Sequence, residues 1–137
     1  MGAQVFTLQK GLDQLGELRS FIRSQLARTP MKEEKQMMVV LAIEEVCANL
    51  IIHEFKQRDG ESIVVSIRNT DKKIIFEIKN RGGSFNMLEY QEPNLREVKA
   101  SKRKGGMGIA LIKRIIDHIE YDISPEYNTC RLIKVLD

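Results

Sequence analysis

Glu45, Asn49 and His53 follow one another at intervals of four within "EEVCANLIIH". On an α-helix a step of four residues turns the side chain by only about 40°, so the three project to one side. Most of the neighbouring residues are apolar: Met38, Val39, Val40, Leu41, Ile43, Val46, Cys47, Leu50, Ile51 and Ile52. A helix over residues 32–55 is therefore expected to be nearly buried, with one polar seam. A buried carboxylate without a partner is costly, so the seam is expected to face water, a ligand or a metal. A carboxylate there can take a proton from an attacking hydroxyl or water. An amide oxygen one turn away is a hard ligand suited to Mg²⁺. The same pattern also fits the solvated edge of a core helix, and His53 alone fits an imidazole satisfied near the helix end.

Two glycine segments could supply something for that seam to face. In "KNRGGSFN", Asn80 ends a strand pattern, and Gly82 and Gly83 permit close backbone approach to a flat ligand; a plain glycine turn reads equally well. In "KRKGGMGIALI", Gly105, Gly106 and Gly108 stand where a loop enters a helix. A helix N-terminus exposes unpaired N–H groups and a positive dipole end, which suit phosphate oxygens. Lys102, Arg103 and Lys104 lie just upstream. There is no "GxxxxGK[ST]" here, and no strand directly precedes the glycines as a dinucleotide fingerprint requires. The basic run carries no aromatic residue, which argues against base stacking on nucleic acid.

The elements that must hold these residues can be read from periodicity. "QVFTL" is a short strand, and "LDQLGELRSFIRSQLAR" is an amphipathic helix with Leu15, Leu18, Ile22 and Leu26 on one stripe and Asp13 or a neighbour as the cap at its start. Pro30 either stops that helix or enters the first turn of the next. "SIVVSIRN" and "KIIFEIKN", joined by "TDK", form a hairpin. Residues 81–104 lose all periodicity, and a loop of that length is commonly functional. A helix over "GGMGIALIKRIIDHI" follows, with Ile112, Ile115, Ile116 and Ile119 as its apolar stripe, and a terminal hairpin turns at 125–128. This order implies an α+β two-layer sandwich, helices covering one face of a mixed, mostly antiparallel sheet.

A chain of 137 residues fits a single domain, residues 1–137, with a sizeable core. Hydrophobic residues at 42% and charged residues at 30% exclude a disordered chain. No apolar run approaches the roughly 20 residues of a membrane span, and "MGAQVFTLQKGLDQL" lacks a signal-peptide pattern, so a cytoplasmic location is the expectation. Phe6 stands where a myristoylation signal needs Ser or Thr. Cys47 and Cys130 have no metal spacing and are expected to be buried thiols. The net charge of +3 selects no class of partner.

Taken in order, "EEVCANLIIH", "IKNRGGSFN", "GGMGIALIKRIIDHIEYD" and "NTCRLIKV" resemble the boxes of the GHKL ATPase superfamily, the Bergerat fold of gyrase and the histidine kinases. Within it they are most similar to the bacterial anti-sigma-factor serine/threonine kinases. The resemblance runs along essentially the whole chain, and the short length without sensor or dimerisation helices favours the stand-alone kinases. It implies ATP and Mg²⁺ as ligands. By it, Glu45 is the general base towards a partner's hydroxyl, and Asn49 holds Mg²⁺. Asn80 and Gly82 belong to the adenine-binding box, residues 82–104 form an ATP lid, and Lys104, Gly105, Gly106, Met107 and Gly108 hold the phosphates. Thr129 corresponds to a threonine near the adenine. The implied partner is an anti-anti-sigma protein of the STAS type, a sigma factor, or both; homodimerisation is implied too, while no direct nucleic-acid or membrane partner is expected. The family has Asp where this chain has Asn80. An amide still accepts the hydrogen bond of an adenine amino group, at a cost of about 1 kcal/mol for the lost charge. That departure keeps open a second function, a nucleotide-binding partner switch with weak or no phosphoryl transfer.

Overall fold

In the computed structural model, the structure describes residues 3–9, 11–51, 62–81, 110, 112–124 and 127–136. Strand β1 (Gln4–Leu8) leads through a 3-10 turn (Gly11–Gln14) into helix α1 (Leu15–Leu26), and helix α2 (Glu33–Leu50) follows. Then come β2 (Ile63–Asn69), β3 (Lys73–Arg81), β4 (His118–Ile123) and β5 (Tyr127–Val135). The strands form one sheet in the order β1-β2-β3-β5-β4, and every described ladder is antiparallel. This is the α+β sandwich expected, without a parallel pair among the described strands.

Period-two burial explains why these segments are strands. Ile63, Val65 and Ile67 on β2, Ile74, Phe76 and Ile78 on β3, and Cys130 and Leu132 on β5 turn inward to one core. Leu18, Ile22 and Leu26 of α1, with Val39, Ile43, Val46, Cys47 and Leu50 of α2, fill it from the other layer. Phe6 of β1 meets Phe21 of α1 with ring centroids 5.4 Å apart, tying the edge strand to the helix layer.

Turn chemistry fixes the register of both hairpins. The Thr70 N–H donates to Lys73 O at 2.8 Å, and the Thr70 hydroxyl accepts from the N–H groups of Lys72 and Lys73. At the other hairpin, the Ser124 N–H and hydroxyl donate to Tyr127 O, and that hydroxyl accepts from the Tyr127 N–H.

Three local expectations change, and one pair of alternatives is narrowed. Asp13 does not cap α1: Gln14 is its N-cap without a side-chain cap bond, and the Gln14 side-chain oxygen instead accepts from the Gln9 N–H at the end of β1. Pro30 lies between the helices, after the Ala27 C-cap of α1 and outside α2, whose N-cap is Lys32. Met38 and Leu41 are 42% and 50% exposed, so the first half of α2 is only one-sidedly buried. The late helix does not reach Ile119. Residues 112–115 are helical and β4 starts at His118, because the Asp117 N–H donates to Ile133 O and its carboxylate accepts from the Val135 N–H, docking the chain onto β5. Ile112 and Ile116 are buried as expected, whereas Ile119 faces Leu132 across the β4–β5 ladder.

Candidate functional site

The two adjacent glutamates of α2 have different environments. The Glu44 carboxylate takes both ends of the Arg19 guanidinium of α1, with Nε to Oε2 at 3.1 Å and a second bond from Nη2. That bidentate bond makes it a link between the two helices. Among the described residues Glu45 has no such cation. It is half-buried, and burial raises its carboxyl above the ordinary range, with the Glu44 charge adding to the effect. A carboxylate with a raised pKa is a stronger base, closer to what proton transfer near neutral pH requires.

Asn49 is 4% exposed one turn further on. Its Nδ2 donates to the Glu45 backbone carbonyl at 2.9 Å. This bond back along the helix spends the donor end of the amide and leaves Oδ1 without a hydrogen bond from any described residue. A fixed amide oxygen beside a half-buried carboxylate suits a hard cation whose remaining ligands come from elsewhere. Among the described residues no group of three or more His, Cys, Asp or Glu could hold a metal alone.

The inward end of the sheet adds two more carboxamides. Asn80 of β3 stands opposite Asn128 of β5 in the ladder, and Ile63 of β2 stands opposite Asn80 on its other side. Asn80 and Asn128 are 5% and 1% exposed. The Asn128 Oδ1 is buried with no hydrogen-bond partner among the described residues. Two residues along the same face, Cys130 lies close enough to Cys47 of α2 to act on its thiol electrostatically. Burial, the larger cause, together with Cys130 and Glu44 pushes the Cys47 thiol far above its ordinary range, and burial pushes Cys130 up to about 12. Asn49 follows Cys47 by two residues and Asn128 precedes Cys130 by two. A step of two residues on a helix turns the side chain by about 200°, so Asn49 lies at the level of that helix–sheet contact but not on the face of Cys47, whereas Asn128 shares the strand face of Cys130.

Thr129 is not part of this constellation. It pairs with Lys79 and Asp122, on the outward face of the sheet. There Arg131 donates through Nε and Nη2 to Glu77 at 3.0 and 2.8 Å and through Nη1 to Glu120 at 2.8 Å. The β5 residue that shares a face with Asn80 is Asn128, one position before the threonine to which the resemblance points. The signal was available: Cys130 and Leu132 are the apolar members of an alternation, and the same period counted back falls on Asn128.

His53, Gly82, Lys104, Gly105, Gly106, Met107, Gly108 and the lid at 82–104 lie outside the described residues. Among the described residues no helix is long and apolar enough to cross a membrane.

Comparison with known proteins agrees with this architecture. The family model for the histidine kinase-like ATPase domain matches residues 8–134. The chain is similar to the serine-protein kinase RsbW of Bacillus pumilus, 27% identical over 86 residues. That alignment takes in 58% of this chain and 53% of the relative, so the match spans about half the length of the curated protein. A solved structure of the RsbU and RsbW domains of a Mycobacterium tuberculosis protein superimposes with a TM-score of 0.68 over 99% of this chain and 33% of the other, at 17% identity, a likeness of fold.

Proposed function

The chain belongs to the histidine kinase-like ATPase domain family, and from that premise we propose that it is an ATP-dependent serine/threonine protein kinase. It acts as an anti-sigma regulatory factor in the cytoplasm and phosphorylates an anti-anti-sigma partner of the STAS type, so that a sigma factor is held or released. The observation that carries this reading is the Glu45–Asn49 pair: a half-buried carboxylate with no cation beside it among the described residues, one turn from an amide whose donor end is already bonded.

In this reading the Glu45 carboxylate takes the proton from the serine or threonine hydroxyl of the partner protein. Its raised pKa keeps that proton transfer close to balance. Asn49 offers Oδ1 to Mg²⁺, and its bond to the Glu45 carbonyl holds the oxygen in place beforehand. ATP supplies the phosphoryl group and Mg²⁺ neutralises its charge, the two things such a transfer asks of a site beyond positioning. Asn80 receives the base, Gly82 leaves room for it, and Lys104 with the N–H groups of residues 105–108 receives the phosphates. The test is transfer of labelled phosphate from ATP, with Mg²⁺, to the cognate partner. Transfer by the wild type that disappears in Glu45→Ala supports the kinase. No transfer by the wild type, or transfer undiminished in Glu45→Ala, refutes it.

A second reading, nucleotide-gated partner switching without transfer, is favoured by the neutral Asn80. A pull-down of the partner with and without ATP separates the two: binding indifferent to nucleotide, alongside measurable transfer, counts against the switch.

A further inference from the structure

Asn128 is hard to explain as a residue of the fold. It occupies a strand, where asparagine is disfavoured, and it points into the core beside Cys130. A buried acceptor without a donor costs about 1–3 kcal/mol, a cost that an apolar side chain of similar size would remove. Directly opposite stands Asn80, at the roughly 5 Å between β-carbons that facing strand residues keep. The nearest residues on the same face are Ile63, Ile78 and Cys130, so no charged side chain among them accompanies the pair. A neutral, buried acceptor of this kind calls for a donor from beyond the described residues, and a bound ligand supplies one.

Building on the nucleotide reading above, we propose that Asn128 and Asn80 together read the hydrogen-bonding edge of a purine, and that the site accepts adenine and guanine nucleotides alike. Each carboxamide carries an acceptor oxygen and a donor NH₂ group, and a turn about its last bond exchanges them. Adenine presents an amino donor beside a ring-nitrogen acceptor. Guanine presents a carbonyl acceptor beside a ring N–H donor. Two uncharged carboxamides meet either pattern, and in both the base brings an N–H for the Asn128 oxygen. A carboxylate in either place would accept only and would repel the guanine carbonyl.

Titration calorimetry of the whole chain with ATP, GTP and CTP in Mg²⁺ tests this, with thermal midpoints measured on the same samples. The expected result is dissociation constants for ATP and GTP within about threefold of each other, a separation of no more than about 0.7 kcal/mol at 1.4 kcal/mol per tenfold. CTP, whose cytosine offers the same amino donor beside a ring acceptor on one ring instead of two, is expected to bind more weakly by the apolar area of the missing ring. Asn80→Asp is expected to separate ATP from GTP by about tenfold in favour of ATP, the gap between a charged and a neutral acceptor. Asn128→Leu is expected to weaken ATP and GTP by about fivefold, the size of one hydrogen bond, while the thermal midpoint holds or rises. A purely structural asparagine would lower the midpoint and leave affinity alone. If Asn128→Leu does not fold, Asn128→Asp decides by the same ratio, favouring ATP if the side chain touches the base. Wild-type binding of ATP more than about thirtyfold tighter than GTP, or affinities unchanged in the Asn128 variants, overturns the inference and leaves the kinase reading standing. Binding of no nucleotide at all overturns both.

Discussion

On the outward face of the sheet, Arg131 bonds Glu77 on β3 and Glu120 on β4, and the polar groups satisfy one another across neighbouring strands. On the inward face, Asn128 meets Asn80 across the same pair of strands, and its Oδ1 finds no donor among the described residues. The outward residues are half-exposed, where an imperfect pair could turn to water; the inward ones have no such recourse. A polar network closed among its own members serves the fold, while an open one in a buried place is committed to something else. α2 repeats the contrast on a smaller scale. Glu44 is closed against Arg19, whereas Glu45 and the Asn49 oxygen stay open.

The largest expected effect comes from the open side. Glu45→Gln should lower phosphoryl transfer to the partner about 10²–10⁴-fold, the usual worth of a positioned base, with ATP affinity little changed. The same variant carries a stability signature. The folded Glu45 carboxyl keeps its proton to higher pH than the ordinary 4.5, so the folded state binds more protons than the unfolded state in that window. Stability therefore falls as pH rises through it. At neutral pH Glu45→Gln should melt higher than the wild type, and the gap should close as pH drops below 4.5 in a series of thermal melts.

Next in size is Asn49→Ala. Calorimetry at several Mg²⁺ concentrations should show the metal-dependent part of ATP binding reduced on the order of tenfold, as loss of a metal-site partner typically does. Arg131→Met, on the closed side, should give the reverse profile: a loss of about 1 kcal/mol in urea unfolding, smaller at high salt, with nucleotide affinity unmoved. An Arg131 variant that lost nucleotide binding would erase the distinction between the faces. The smallest effect concerns the buried thiols. With its thiol pushed up to about 12, Cys130 should resist maleimide at neutral pH, Cys47 likewise, and both should label only after denaturation.

Much of this was legible in the sequence because local chemistry carried it. "QVFTL" coincides with β1, the Thr70 turn fixes the first hairpin, and the spacing of four in α2 put Glu45 and Asn49 on one side. What the sequence withheld depends on partners far along the chain. Whether Met38 and Leu41 are covered depends on where α1 and the sheet meet α2, which helical periodicity leaves open. The face of Thr129 depends on strand register, and in a strand a shift of one residue moves every side chain to the other side. Motif likeness pointed to Thr129; the ladder with β3 gives that face to Asn128. Glu44 and Glu45 were separable by spacing, but the reason Glu44 is unavailable, its bond to Arg19 twenty-five residues away, needed the fold.

Side-chain resonances report on both faces at once. In ¹⁵N-labelled protein titrated with ADP and Mg²⁺, the side-chain NH₂ signals of Asn49, Asn80 and Asn128 should shift as the site fills. The Arg131 Nε–H signal, bonded to Glu77 on the outward face, should stay in place. An Arg131 signal that moved while the three asparagines stayed still, or asparagine signals unmoved at saturating nucleotide, would contradict the account.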